Sequence, residues 1–600
     1  MNRDRKGKMK MAKLKEQEKR YLQKFWNAVC QAGNDLRNQE PPALTEEDFY
    51  LFEKTGNRLT YENAYFARRK YLTVFGILYE FGKKEEDLEA LDKIIVSICS
   101  RERFWALPAH VDFAHLDEKT IDLFAAETAQ ALAEILMIAR DHLPAATVAL
   151  AQQEIMDRVL APFCTSTFPY SWWETDRCNW SAVCAGSIGM AAIMMDRMGR
   201  LPAEWKEPCM KRVCDALTCY LDGMEADGTC TEGLGYFSYG MSYFTAFAEL
   251  LYQETGGAVN LMNQPKCEKI AAFQEKCYFG HGVSLSFSDA DCHEHFLPGL
   301  TAYLVHCFPD TRTPDYASAR TFEEDSCCRW LMNERTIRWL IDFGGHENVR
   351  ADSASCDLLP CAQWMICKDQ NGNGFAAKGG HNDENHNHND VGHFLCAYQG
   401  ELLLTDLGAG EYTKDYFNEN RYQILCNRSL GHSVPLINDY EQCPGKNSRA
   451  DAFVWDEEKE TLTISFAGAY PEGCIDRVTR VIAKERTCGE HLGMALSVTD
   501  CFIPSGQTTK ITENLITPFQ PEVVQDSDGL HVLIRGTQGL CMITDEAAWR
   551  SPQQIQILSK EHSLHDGTKT TVYLIQWDLP VKEMRELQSH MLFRFSNLRH

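Results

Sequence analysis

Between about Leu14 and Leu340 apolar residues recur three and four positions apart, the spacing that lines one face of an α-helix. The pattern predicts helices over residues 65–81, 120–139, 181–198 and 209–224. Breakers separate such segments at Pro41-Pro42, Leu107-Pro108, Pro169, Leu201-Pro202, Gly256-Gly257 and Pro309. Many helices joined by loops of this kind suit a toroid or a solenoid. After Gly344-Gly345 the period changes from near four to two. Strands are predicted at Thr461-Leu-Thr-Ile-Ser-Phe-Ala, Arg477-Val-Thr-Arg-Val-Ile, Leu530-His-Val-Leu-Ile-Arg and Thr571-Val-Tyr-Leu-Ile-Gln-Trp. Turn clusters such as Pro504-Ser-Gly separate them, as in stacked antiparallel sheets. The expected division is a helical domain over residues 1–350 and an antiparallel β domain over 351–600, with no internal repeat.

Composition agrees with two domains, since 600 residues at 44% hydrophobic content can fill two sizeable cores. The 25 cysteines are scattered within apolar patterns, as at Val183-Cys184-Ala185, and predict buried thiols in a reducing compartment. Cys327-Cys328 is a vicinal pair, and no CxxC pair points to a second metal site. The basic N-terminal run through Trp26 lacks a signal-like apolar core and predicts a solvated first helix face. The apolar run around residues 181–195 is too short and too interrupted to span a bilayer. A cytoplasmic protein that engages neither membrane nor nucleic acid is expected.

The chemistry concentrates in Gly379-Gly-His-Asn-Asp-Glu-Asn-His386-Asn-His388-Asn-Asp-Val-Gly-His-Phe394. His386 and His388 alternate, which on the approach to a strand points both side chains the same way. A hairpin follows, turning at Gln399-Gly400 and ending at Asp406, and Gly431-His432-Ser433 lies beyond a polar loop. Imidazoles and a carboxylate on neighbouring elements suit a borderline metal such as Zn²⁺. A solvated Asn/His-rich loop is the alternative for this fragment taken alone.

The spacing resembles that of the heparinase II/III superfamily of polysaccharide lyases. The resemblance implies an incomplete α/α toroid followed by an antiparallel β-sandwich domain. It also implies His388, Asp406 and His432 as zinc ligands, the metal being mainly structural, and His386 as a catalytic histidine facing substrate. Two further segments are similar to the same family. In Asp176-Arg-Cys-Asn179-Trp180 the resemblance implies that Asn179 neutralises a uronate carboxylate, whereas the local reading is a helix N-cap. In Asp227-Gly-Thr-Cys-Thr-Glu232-Gly-Leu-Gly-Tyr236 it implies Tyr236 as the active-site tyrosine. Tyr239 and Tyr243 follow at helical spacing and are expected to pack or to line a subsite.

A lyase of this kind removes the uronate C-5 proton and expels the O-4 leaving group. Asn179 would supply donors where charge develops, and His386 and Tyr236 would share the base and acid roles, with the uronate epimer deciding which is which. Glu232 would orient a neighbour or merely cap the following helix, while Trp173, Arg421 and His110 are further candidate substrate contacts, Arg421 having an ordinary surface position as its alternative. Trp173 and His110 have core roles as their alternatives, and His393 is expected to pack or face solvent. The expected function is β-elimination on glycosaminoglycan-like, uronate-containing oligosaccharides, leaving unsaturated ends. The expected partner is an anionic oligosaccharide or polysaccharide, and a homo-oligomer stays open. A net charge of −25 opposes long-range steering of such a ligand, which calls for a local basic cleft or a short chain. The rival readings are metal-assisted hydrolysis through His388, Asp406 and His432, and a carbohydrate-binding protein without turnover.

Overall fold

The helix running from Asn179 to Arg197 buries nearly every residue through Met195, so its apolar surface goes all the way round. It packs against helices Leu123–Ala139 and Ala203–Gly223. Helix Leu234–Glu254 approaches so closely that a Cβ on Gly186 would lie 2.9 Å from the Tyr243 carbonyl oxygen. A larger residue there would push the two helices apart. In this computed structural model the described residues are 12–346, 354–486, 492–527, 529–581 and 586–598. They form two compact units, one of residues 1–224, 236–271 and 296–349, the other of residues 225–235, 272–295 and 350–600.

The first unit is helical. The four predicted helices are present as Leu59–Gly82, Leu123–Ala139, Asn179–Arg197 and Ala203–Gly223. The second starts at Leu123 and not at Thr120 because the Asp122 carboxylate caps it, accepting from the Ala125 N–H at 2.7 Å. Helix Trp330–Phe343 returns to pack on Glu16–Leu36, Leu59–Gly82 and Leu123–Ala139, the closure of an incomplete α/α toroid. Of the basic N-terminal run, residues 1–11 lie outside the described residues, and helix Glu16–Leu36 buries Leu22, Phe25 and Val29. Among the described residues no helix is long and apolar enough to cross a membrane.

The second unit is antiparallel β. An eight-stranded sheet runs in the order Ala452–Asp456, Thr461–Ser465, Arg477–Lys484, Leu492–Ile503, Leu587–Asn597, Gly539–Thr544, Gly529–Arg535 and Pro521–Asp526. A four-stranded sheet contains Ile511–Thr517 and Lys569–Leu579, and a five-stranded sheet begins with Ser355–Leu359. One apolar core draws on all three, with Phe394, Leu515 and Phe593 wholly buried in it. This is the sandwich the alternating pattern predicts. The predicted hairpin is present as Phe394–Tyr398 and Glu401–Leu404, with Tyr398 opposite Glu401. Its turn residues Gln399 and Gly400 both have left-handed φ values, 51° and 78°, as a tight two-residue hairpin loop requires.

Two short segments join this unit through buried polar contacts. The Lys368 ammonium, buried beneath its strand, donates to the Glu275 carboxylate at 2.8 Å and to the Tyr278 carbonyl at 2.7 Å. Ser288 donates from its hydroxyl to the Thr231 carbonyl at 2.7 Å. These contacts bring residues 225–235 and 272–295 beside the loop that carries the histidines. Cys356 and Cys367, opposite one another in the first hairpin of the five-stranded sheet, form a disulfide, whereas the other described cysteines are thiols.

Candidate active site and metal-holding set

His386 and His388 do not sit on a strand. They lie in the loop between His381–Asn382 and Phe394–Tyr398, and His386 has a left-handed φ of 57°. Their side chains nevertheless converge, because both grip one carboxylate. Asp289, wholly buried, accepts on Oδ2 from His386 Nδ1 at 2.6 Å and from the Tyr412 hydroxyl at 2.8 Å. On Oδ1 it accepts from His388 Nε2 at 3.0 Å and from the Tyr416 hydroxyl. Burial pushes the Asp289 carboxyl upward, but the bonds and charge of the two imidazoles outweigh it and hold the group well below the usual range. On the other side of its ring, His386 Nε2 lies 3.8 Å from the Glu232 carboxylate. Asp289 carries no motif of its own in Phe287-Ser-Asp-Ala, and sequence reasoning missed it.

The metal-type cluster comprises His388, Asp390, Asp406 and His432, each buried, with one ligand atom from each lying within 4.8 Å of the others. His388 commits Nε2 to Asp289, and His432 commits Nε2 to the Cys426 carbonyl at 2.8 Å. Each ring therefore turns a bare Nδ1 inward. Those two nitrogens and Asp406 Oδ2 make no hydrogen bond with any described residue, although His432 Nδ1 and Asp406 Oδ2 stand 3.4 Å apart. Buried polar atoms without partners are costly, and two lone-pair nitrogens with a carboxylate oxygen are a donor set for a cation. The residues fit a metal. Asp390 was not foreseen as a member, and its carboxylate already pairs with the buried Lys378 at 2.9 Å.

The electrostatics of the cluster agree. Burial raises the Asp406 carboxyl, yet the imidazoles of His432 and His393 beside it hold it well below its ordinary value. Burial lowers His388 and His393, whereas at His432 the lowering by burial is outweighed by the Asp406 charge. His393 is wholly buried and takes part in the site. Its Nδ1 accepts from the Ser433 N–H at 2.9 Å, which leaves Nε2 to face Asp406 Oδ2 at 3.2 Å. The loops themselves are pinned by Arg480, which pairs with Asp500 and donates to the carbonyls of Gly392 at 2.7 Å and Ser433 at 2.6 Å. Asn514 adds a bond to the His432 carbonyl at 2.7 Å.

Arg421 does not present an open fork for a carboxylate. Its guanidinium donates to the Asn387 carbonyl at 2.8 Å and to the Tyr416 carbonyl at 3.0 Å, which ties down the loop bearing His386. The remaining expected residues belong to the helical unit. Asn179 is the first residue of its helix, buried, with Cys178 at the N-cap position, so the local capping role falls away. Tyr236 stands in the first turn of Leu234–Glu254, half-buried. Tyr239 and Tyr243 are buried, and the Tyr239 hydroxyl donates to Glu127. Trp173, read as either a sugar contact or a core residue, takes the core role: it is 0% exposed and donates its indole N–H to the Ile121 carbonyl at 3.1 Å. No face of it is left for a ring to stack on; the neighbouring Trp172, 54% exposed, is the one that meets solvent. His110 Nδ1 is 2.7 Å from the Asp122 carboxylate, with the ring edge-on to Trp180.

The sequence matches no family model and no curated protein. The fold does match solved structures. Over 96% of this chain and 91% of the other, it superposes on heparinase III with a TM-score of 0.60 at 11% identity. It superposes on the heparan sulfate lyase HepC of Pedobacter heparinus over 96% of this chain and 88% of that one, with a TM-score of 0.57 at 12% identity. The chain thus has the heparinase-like fold, a helical toroid unit followed by antiparallel sheets.

Proposed function

We propose that this protein is a polysaccharide lyase that β-eliminates uronate-containing, glycosaminoglycan-like oligosaccharides. The observation that carries the reading is a partly exposed imidazole, His386, held through Nδ1 by a buried carboxylate that stays ionised, with Nε2 on the opposite side of the ring. That is the arrangement of a positioned general base. The heparinase-like fold supports the class of reaction.

In the proposed reaction His386 Nε2 takes the C-5 proton of the uronate. The C–H electron pair becomes the C4=C5 double bond, the C4–O4 bond breaks, and the Tyr236 phenol protonates the departing oxygen. Asn179 would hydrogen-bond the uronate carboxylate while charge develops there, a term of several kcal/mol where such donors have been removed. For a uronate of the other C-5 configuration the two roles exchange. Glu232, beside His386 Nε2, would receive the proton or hold the ring in line. Zinc is the proposed metal, held by His388, Asp406 and His432; it would supply a fixed positive charge that braces the loop bearing His386. The full burial of those side chains favours bracing over activation of a hydrolytic water.

The test is ultraviolet absorbance during incubation with heparan, chondroitin, hyaluronan and alginate oligosaccharides, with Tyr236→Phe and His386→Ala alongside. A rise from an unsaturated uronate, lost in both variants, is expected. Saturated fragments by mass spectrometry with no rise would replace elimination by hydrolysis. No product from any substrate in either assay would favour a binding protein.

A further inference from the structure

Asp289 is placed to do more than steady one histidine. Its carboxylate is wholly buried and receives four hydrogen bonds, two on each oxygen, from His386, Tyr412, His388 and Tyr416. An ionised carboxylate only accepts, and four donors satisfy its lone pairs. Whichever ring nitrogen faces it must therefore carry the hydrogen. For His386 that nitrogen is Nδ1, and for His388 it is Nε2. The opposite nitrogens, His386 Nε2 and His388 Nδ1, then carry no hydrogen.

We propose that Asp289 is a positioning residue that fixes the tautomers of both histidines at once, pointing a basic Nε2 of His386 at the substrate and a ligating Nδ1 of His388 at the Asp406–His432 set. One carboxylate then couples the metal-holding cluster to the reacting group. The half of this inference that concerns His386 rests on the lyase reading; the half that concerns His388 does not.

Two further observations support it. His388 Nδ1 is buried without a hydrogen-bond partner among the described residues and stands in the cluster with Asp406 and His432, as a nitrogen kept bare for a cation would. His386 holds a left-handed backbone, at φ 57°, a conformation that is strained in a non-glycine residue. Such a conformation persists where surrounding bonds over-determine it, and the 2.6 Å bond to Asp289 is one of these. The carboxylate lies 97 residues before His386 and 99 before His388. Its backbone position is set by Ser288, whose own left-handed φ of 62° and bond to Thr231 turn the chain toward the histidine loop.

The substitution to make is Asp289→Asn. It keeps the size of the side chain but replaces one acceptor oxygen by an NH₂ donor, which no N–H can face. At least one histidine must then turn over to its other tautomer. The direct measurement is ¹⁵N NMR of the full chain labelled at histidine rings, with the two signals assigned through His386→Gln and His388→Gln. In the wild type, His386 protonated at Nδ1 and His388 protonated at Nε2 are expected. In Asp289→Asn at least one of these assignments should invert. Alongside, zinc affinity or kcat should fall roughly ten- to a hundredfold, as when the partner of a ligating histidine is removed, with KM within about twofold. A far-ultraviolet spectrum like that of the wild type identifies a folded variant. Tyr416→Phe, which removes a donor without imposing a tautomer, should leave both ring assignments as they are.

A wild-type ring with the opposite assignment, or assignments unchanged in Asp289→Asn, overturns the inference whatever the activity. If the tautomers are as stated but no uronate substrate is eliminated, the lyase reading fails and the tautomer-setting role of Asp289 stands. If elimination occurs with the opposite tautomers, the reverse holds.

Discussion

Glu127 offers a sharp test of the electrostatics behind the tyrosine-bearing helix. Its carboxyl is buried on Leu123–Ala139, receives the Tyr239 hydroxyl, and lies 3.5 Å from the Arg329 guanidinium, which also sits 4.2 Å over the Tyr239 ring. Burial pushes the acid up from 4.5 to about 7, and the attraction of Arg329 offsets only part of that. The folded chain therefore keeps a proton that the unfolded chain has already released near pH 4.5. Because the native state binds more protons over this interval, stability falls as pH rises through it and levels off above about 7. The interval corresponds to roughly 3 kcal/mol. Glu127→Gln has nearly the same shape, still accepts from Tyr239 and does not titrate. The stability difference between wild type and Glu127→Gln, followed by urea denaturation at a series of pH values, should shift by about that amount in the variant's favour between pH 4.5 and 7. Parallel pH profiles for the two proteins would refute the reasoning, since they would mean that Glu127 titrates alike in folded and unfolded chains.

Two other outcomes are expected. Zinc at about a hundred times its dissociation constant should stabilise the folded chain by roughly 2.7 kcal/mol, seen as a higher melting temperature that a chelator reverses. His388→Ala should abolish that increment; a melting temperature indifferent to zinc in the wild type would remove the metal from the account. Trp173→Ala should cost about 3–5 kcal/mol in denaturant titrations, because a fully buried indole and its bond to Ile121 are lost, while Trp172→Ala should stay within about 0.5 kcal/mol. Equal losses at the two positions would contradict the assignment of one to the core and the other to solvent.

What the sequence determined by itself was everything that depends on short range. Apolar spacing of three and four marked the helices, alternation marked the strands, and Gln399-Gly400 marked a hairpin turn that the structure places at the same residues. The set of His388, Asp406 and His432 was legible through its resemblance to a family pattern, and the structure gathers the three with Asp390 although a long loop separates Asp406 from His432. Local pattern failed where a side chain's role depends on what packs against it. Alternation placed His386 and His388 at the entry to a strand; they share a target because the loop bends around a carboxylate. His393, expected to pack or face solvent, faces Asp406, and Trp173, a candidate sugar contact, fills the core. Only the tertiary structure decided that residues 272–295 join the β unit and carry Asp289 to both histidines. A single aspartate between alanine and serine gives no periodicity, and nothing in the chain near it records a partner almost a hundred residues away. Its meaning arises when burial excludes water and leaves two imidazoles and two phenols as its hydrogen-bond donors.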